Sequence, residues 1–158
     1  MTRRFRLFLV TLTVLLVPGC RSNDDSRPGL SPEDRAALQA IADQDSLIIG
    51  KHNWDALAAQ FEENGVRMPP NQPAVQGRAA IRSWLDQFPP ITAFDFHLVD
   101  LEGQGGLAFM RGAWRITMKP PGATQAVSDS GKILVVLRKQ ADGSWRRVAD
   151  AWNSDLPL

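Results

Sequence analysis

The chain has 158 residues, 44% of them hydrophobic and 22% charged, with 12 Gly and 11 Pro. At 100–200 residues per domain this is one domain with at most an appendage, and the composition excludes a mainly disordered chain, a collagen and a coiled coil. Eighteen basic residues oppose 17 acidic ones; without Arg3, Arg4 and Arg6 the balance is 15 to 17, or −2, which argues against a nucleic-acid surface. One Cys and two His exclude an internal disulfide and a Cys/His-built metal site, and no sequence signal calls for a cofactor.

The first twenty residues read as an address. Arg3, Arg4 and Arg6 precede an apolar run, Leu7 to Val17, and Pro18-Gly19-Cys20 follows. Eleven residues at about 1.5 Å each span about 16 Å, short of a ~30 Å hydrocarbon core, so the pattern is that of a secretory signal rather than a membrane span. Val17-Pro18-Gly19-Cys20 resembles the lipobox of bacterial lipoproteins, with the chain's single cysteine at the lipidation position. The resemblance implies cleavage after residue 19 and acylation of Cys20, a membrane anchor of two or more chains. Arg21 after the Cys implies, by the same resemblance, the periplasmic face of the outer membrane where the cell has two membranes. From Cys20 to Leu30 the chain is polar and turn-rich and reads as a flexible tether; residues 31–158 are the domain.

Ser31-Pro32-Glu33-Asp34 is a helix start: an N-cap hydroxyl, proline at the first helical position, and acids at the positive end of the dipole. The helix is predicted to run to about Gly50. Leu38, Ile41 and Ile48 share a face with Asp45, which puts a carboxylate on the buried stripe. Asn53 caps a second helix predicted through Trp54, Leu57, Ala58 and Phe61 to about Asn64-Gly65, followed by a short strand, Val66 to Met68. A third helix is expected from Arg78 to Phe88, with Ile81, Trp84, Leu85 and Phe88 on one side and Pro89-Pro90 as its stop. Strands follow: Ala93 to Leu101, Leu107 to Met118, an apolar stretch around Ile133 to Leu137, and Trp145 to about Asn153 after the Asp142-Gly143 hairpin turn. Helices ahead of a meander predict an α+β fold with helices on one face of an antiparallel sheet.

Two stretches carry a family resemblance. Trp54-Asp55-Ala56-Leu57, Phe61, Asn64 to Pro70 and Val75 to Ile81 form the first; Gly131-Lys132, Arg138-Lys139, Asp142 to Arg146 and Asp150 to Asp155 form the second. In order and spacing, over residues 31–156, they resemble the NTF2-like superfamily, in its DUF4440, SnoaL-like and ketosteroid isomerase-like branch. The resemblance implies a cone: a curved antiparallel sheet wrapped around helices, enclosing a pocket, with homodimers through the sheet in many members. The superfamily holds isomerases, dehydratases, cyclases and non-enzymes, so function rests on the pocket residues.

Ketosteroid isomerase works with an Asp base and a Tyr and a protonated Asp as oxyanion donors. By the resemblance, Asp45 stands at the tyrosine's place, Pro69 or Met68 at the base's, and Lys132 to Val135 around the second acid's. None of these supplies the isomerase's group. Asp45 is either a pocket-floor carboxylate able to handle a proton, or the partner of a strand arginine, with Arg111 and Arg115 as the expected partners. His97 shares a face with Asp95 and could act as a base, or be an ordinary surface histidine. His52 is expected to be a cap or surface residue. Asp150 with Trp152 and Asn153 is expected near the pocket, as a binding wall with a polar anchor or as core, with Val148, Asp150 and Trp152 on one face. Met110 and Trp114 on the long strand, and Met68, complete the candidate ligand contacts.

Three functions fit: a lipid-anchored module holding a small apolar or ring-shaped molecule without turnover, a proton-transfer enzyme using Asp45, His97 or Asp150, and a structural envelope lipoprotein docking a partner through its sheet.

Overall fold

The computed structural model describes residues 29–156. Cys20, the signal segment and most of the tether lie outside the described residues.

Helix α1 (Pro32–Gly50) starts where its capping chemistry places it: the Ser31 hydroxyl accepts the Asp34 N–H at 3.1 Å. Its buried positions are Leu38, Ala42 and Asp45, one stripe at i, i+4 and i+7. Helix α2 (Trp54–Ala59), capped by Asn53, is only six residues long. The expected continuation through Phe61 does not occur. Although Trp54, Leu57, Ala58 and Phe61 have helical spacing, the Gln60 carbonyl accepts the Arg147 N–H at 2.7 Å, and the chain enters strand β1 (Phe61–Met68). Sheet pairing outweighs a helical pattern that could add one more turn at most. Strand β2 (Val75–Gln76) is a short edge absent from the sequence reading, and helix α3 (Arg78–Leu85) stops one turn before Phe88. Arg78 donates to the Phe61 carbonyl at 2.7 and 2.9 Å, tying α3 to β1.

Strands β3 (Ile91–Gln104), β4 (Leu107–Met118), β5 (Val127–Lys139) and β6 (Trp145–Ser154) form the meander, and the six-stranded order is β2-β1-β6-β5-β4-β3. All pairings are antiparallel except β1 with β6, which is parallel. The β4 limits agree with the sequence reading; β3 and β5 extend beyond theirs. The curved sheet is open, with the helices packed on its concave side.

Two apolar clusters fill that side. One, with Leu38, Met110, Val135, Leu137 and Trp145, lies beneath the first turns of α1 and the β3–β4 and β5–β6 hairpins. The other, with Trp54, Leu57, Phe61, Ile81, Leu85, Ile91 and Ile116, surrounds the opposite end. Asp34 sits at the first end, accepting from Trp145 Nε1 at 3.0 Å and Lys139 Nζ at 2.7 Å. The Lys139 and Trp145 hydrogen bonds, with that of Ser31, hold its carboxyl below the usual aspartate value. Gly29 makes an isolated β-bridge to Gln104 beside the same hairpins.

Candidate functional site

The site grows from a break in alternation. Strand β6 carries an extra residue at Val148: Val136 pairs with Ala149, but the next β5 residue, Leu137, pairs with Arg147. A bulge of this kind turns two residues on opposite sides of the sequence parity to the same side of the sheet. Arg147 and Asp150, three apart, therefore both point to the concave side, where α1 presents Asp45 and β1 presents Arg67.

These four charged residues are buried: Asp45 is 4% exposed, Arg67 7%, Arg147 2% and Asp150 1%. Arg147 Nη2 donates to both Asp45 oxygens at 2.6 Å, while Arg147 Nη1 lies 3.6 Å from Asp150 Oδ2. Arg67 Nη1 donates to the same Asp150 oxygen at 3.1 Å. Two carboxylates and two guanidiniums thus form one row of zero net charge. Burial pulls the Arg67 pKa down and pushes that of Asp150 up. For Arg147 burial acts downward too, but Asp45 and Asp150 together overcome it and leave the group raised. The row is stabilised by aromatic faces as well: the Arg67 guanidinium lies 4.5 Å from the Trp152 ring centre and 5.3 Å from that of Trp84, and Arg147 lies 5.8 Å from Phe61.

Above this floor is a cavity of about 140 Å³. Its walls are mostly apolar: Ile49, Trp54, Leu57, Leu85 and Phe88 from the helices and the α3–β3 turn, and Phe94, Phe96, Trp114, Ile116, Met118, Ile133 and Trp152 from the sheet. Two glycines make the wall possible. A Cβ at Gly112 would sit 2.3 Å from the Phe96 ring, and one at Gly131 would sit 2.8 Å from the Trp114 ring and 1.8 Å from the Asn153 carbonyl. Bare backbone at these positions lets both rings lie flat across the neighbouring strand. The Trp114 indole N–H is buried and meets no acceptor. Asp129, on β5, is the remaining carboxylate of the lining; its Oδ1 accepts the Ser130 N–H at 2.6 Å and the Ser154 hydroxyl at 2.8 Å.

A family model for the SnoaL-like domain matches residues 45–148. The chain belongs to this family. Solved structures similar to this SnoaL-like domain show the NTF2-like cone. A ketosteroid isomerase-like protein from Erwinia carotovora atroseptica superposes with a TM-score of 0.73 at 21% identity, over 80% of this chain and 100% of that one. A protein of unknown function from Mycobacterium tuberculosis is 25% identical, with a TM-score of 0.64 over 81% of this chain and 78% of the other. ActVI-ORFA from Streptomyces coelicolor is 18% identical, TM-score 0.61, over 77% and 96%. No curated protein matches the chain.

Within the SnoaL-like domain the candidate residues separate. Asp45, Trp114 and Trp152 line the cavity. Asp150 lies behind it as the arginines' partner. The expected partners of Asp45 were Arg111 and Arg115; the partner is Arg147, while Arg111 faces Asp100 at 3.6 Å on the exposed side. His97 is not in the cavity: it stands with Asp95 and Arg115 on the convex face, because it alternates with Phe94 and Phe96, which point inward. Met110 is fully buried in the other apolar cluster, Met68 is 40% exposed on β1, and Asn153 is exposed, donating to the Ser154 carbonyl. None of these three lines the cavity. His52 is exposed, stacks on Trp54 at 5.3 Å, and accepts the Ile91 N–H at 2.8 Å. The sequence reading missed Arg67, Arg147, Asp129 and the Phe88/Phe94/Phe96 wall as site residues. The apolar alternation of β3 carried a signal for Phe94 and Phe96; no local signal marks the arginines. Among the described residues no group of three or more His, Cys, Asp or Glu could hold a metal ion, and no helix is long and apolar enough to cross a membrane.

Proposed function

We propose that this SnoaL-like domain is a small-molecule-binding module, held at the bacterial cell envelope by acylated Cys20, which takes up a ring-sized molecule without turning it over. The observation that carries the reading is the cavity of about 140 Å³, aromatic-walled, above a charged floor whose groups are already paired. A cavity of about 150 Å³ lined by aliphatic and aromatic groups accepts benzene, which sets the scale at one ring. Both Asp45 oxygens are held by Arg147, and Asp150, bonded through Oδ2 to Arg67, is 1% exposed and lies behind the cavity, so neither carboxylate is offered to a ligand as a free base. His97 faces the other side of the sheet.

The test is thermal unfolding of residues 28–158 against a panel of single-ring compounds. A ligand at a hundred times its Kd stabilises by about 2.7 kcal/mol, a readily measured rise in melting temperature. Phe94→Ala removes one aromatic side of the wall and is expected to weaken ring compounds several-fold. No shift with any ring compound would overturn the reading. Cleavage before Cys20 and its acylation are tested by mass spectrometry of the protein from bacterial membranes, with Cys20→Ser expected to release it.

The convex face supports a homodimer as a second element of this reading. Val99 and Leu134 are about half exposed there (49% and 47%), flanked by charges of both signs, Asp95 and Asp100 against Arg111 and Lys132. A surface of this make-up can pair with its own copy about a two-fold axis. Sedimentation of the wild type and of Leu134→Lys checks it: a dimer broken by the substitution is expected, and a monomeric wild type would end the proposal.

A further inference from the structure

We infer that the molecule held in the cavity is a small organic cation, an arylalkylamine of one ring, whose ammonium is received by Asp129; the inference rests on the binding reading above and names its ligand class. The argument is a charge count over the lining and its support. Asp45 and Asp150 are matched by Arg67 and Arg147, a closed set on the floor. Asp129 stands outside it. Its contacts are the Ser130 N–H and the Ser154 hydroxyl, both on Oδ1, and no Lys, Arg or His nitrogen among the described residues comes within ion-pair distance. The nearby Lys132 is committed to Asp155 instead. Lining and support together therefore carry one uncompensated negative charge, on Asp129, which is partly exposed beside the apolar wall.

The wall is suited to the same ligand. Trp54, Phe88, Phe94, Phe96 and Trp114 line the space with aromatic rings, whose π-systems attract a cation and tolerate a flat apolar body. A carboxylate-bearing ring would meet Asp129 with the same charge, and the two arginines that could receive it already have their own carboxylates. A neutral ring would fit but leave Asp129 as it is. An amine gains both the Asp129 contact and the aromatic rings.

Benzylamine, benzyl alcohol and benzoate differ mainly in charge and separate these cases when each is titrated by calorimetry into residues 28–158. Benzylamine is expected to bind about tenfold or more tightly than benzyl alcohol, the scale of a hydrogen bond to a charged group, and benzoate not measurably. Asp129→Asn retains an oxygen for Ser130 and Ser154 and so keeps the local fold; it is expected to reduce the benzylamine-to-benzyl alcohol ratio to near one. Benzyl alcohol binding as tightly as benzylamine to the wild type would overturn the cation assignment and leave the binding reading intact. A preference for benzylamine that survives Asp129→Asn would overturn the role of Asp129. Failure of all three to bind would remove the binding reading and this inference together.

Discussion

The two ends of the concave side use the same sheet and the same helix and reach opposite results. Under the start of α1, Leu38, Met110, Val135 and Leu137 are packed to 0–1% exposure. Beyond Asp45 the inward positions are as apolar, yet rings propped across Gly112 and Gly131 enclose a cavity. The boundary is the Asp45–Arg147 pair. Side chains in a dry core close around one another, whereas a fixed ionic row with set bond lengths does not deform to fill a gap. A polar partition thus lets one small domain keep a solid core at one end and a hollow one at the other.

The largest expected effect comes from breaking the partition. Asp45→Ala leaves the Arg147 guanidinium buried with only the 3.6 Å contact to Asp150, and is expected to cost about 3–5 kcal/mol in denaturant unfolding. Replacing both members, Asp45→Leu with Arg147→Met, should recover most of that loss. A single substitution costing under about 1 kcal/mol would show that the row does not divide the two ends.

Next in size is the contrast between the ends themselves. Met110→Ala in the filled end is expected to cost about 2–5 kcal/mol, because a close-packed surround cannot collapse into the space. Met118→Ala, at the cavity wall, removes atoms that already face empty space on one side and should cost clearly less in the same measurement. Equal losses would mean that the cavity is filled in solution.

The smallest effect concerns acid. Asp34 is held below its ordinary value of 3.8 chiefly by its hydrogen bonds from Lys139 and Trp145, so the folded state binds its proton less readily than the unfolded chain. Its contribution is therefore present above that ordinary value and is lost as pH falls toward the lowered folded one. Asp34→Asn should lower the melting temperature modestly at pH 7, where the contribution is present, and make less difference below pH 3.8, where the wild type is losing it; an equal difference at both pH values would discount the filled end's ionic cap.

Much of the frame could be read from local chemistry. Ser31-Pro32 sets the start of α1, and β4 keeps the limits its alternation predicts, since both depend on neighbours close in sequence. Asp45 stood out for the same reason, as one residue out of character on a helical stripe. Its partner could not be found this way. Strict alternation puts Val148, Asp150 and Trp152 on one face and sends Arg147 to the other; the Val148 bulge, which reverses that, exists only because β6 is paired with β5 and β1 at once. Arg67 lies on the strand expected at Val66 to Met68, but its partner Asp150 is 83 residues away in sequence and leaves no local signature. The cavity's polar floor is long-range in origin, and its apolar wall is partly local.

The bridge between Gly29 and Gln104 carries a consequence for geometry at a membrane. It fixes the point where the chain enters the domain, beside the β3–β4 hairpin at the filled end, away from Phe88, Met118 and Asp129 at the hollow one. With the acyl chains proposed for Cys20, nine residues at about 3.4 Å each leave this entry point no more than about 30 Å from the lipid. An anchor at Cys20, as proposed, would therefore attach at the solid end of the domain, with the cavity at the other end.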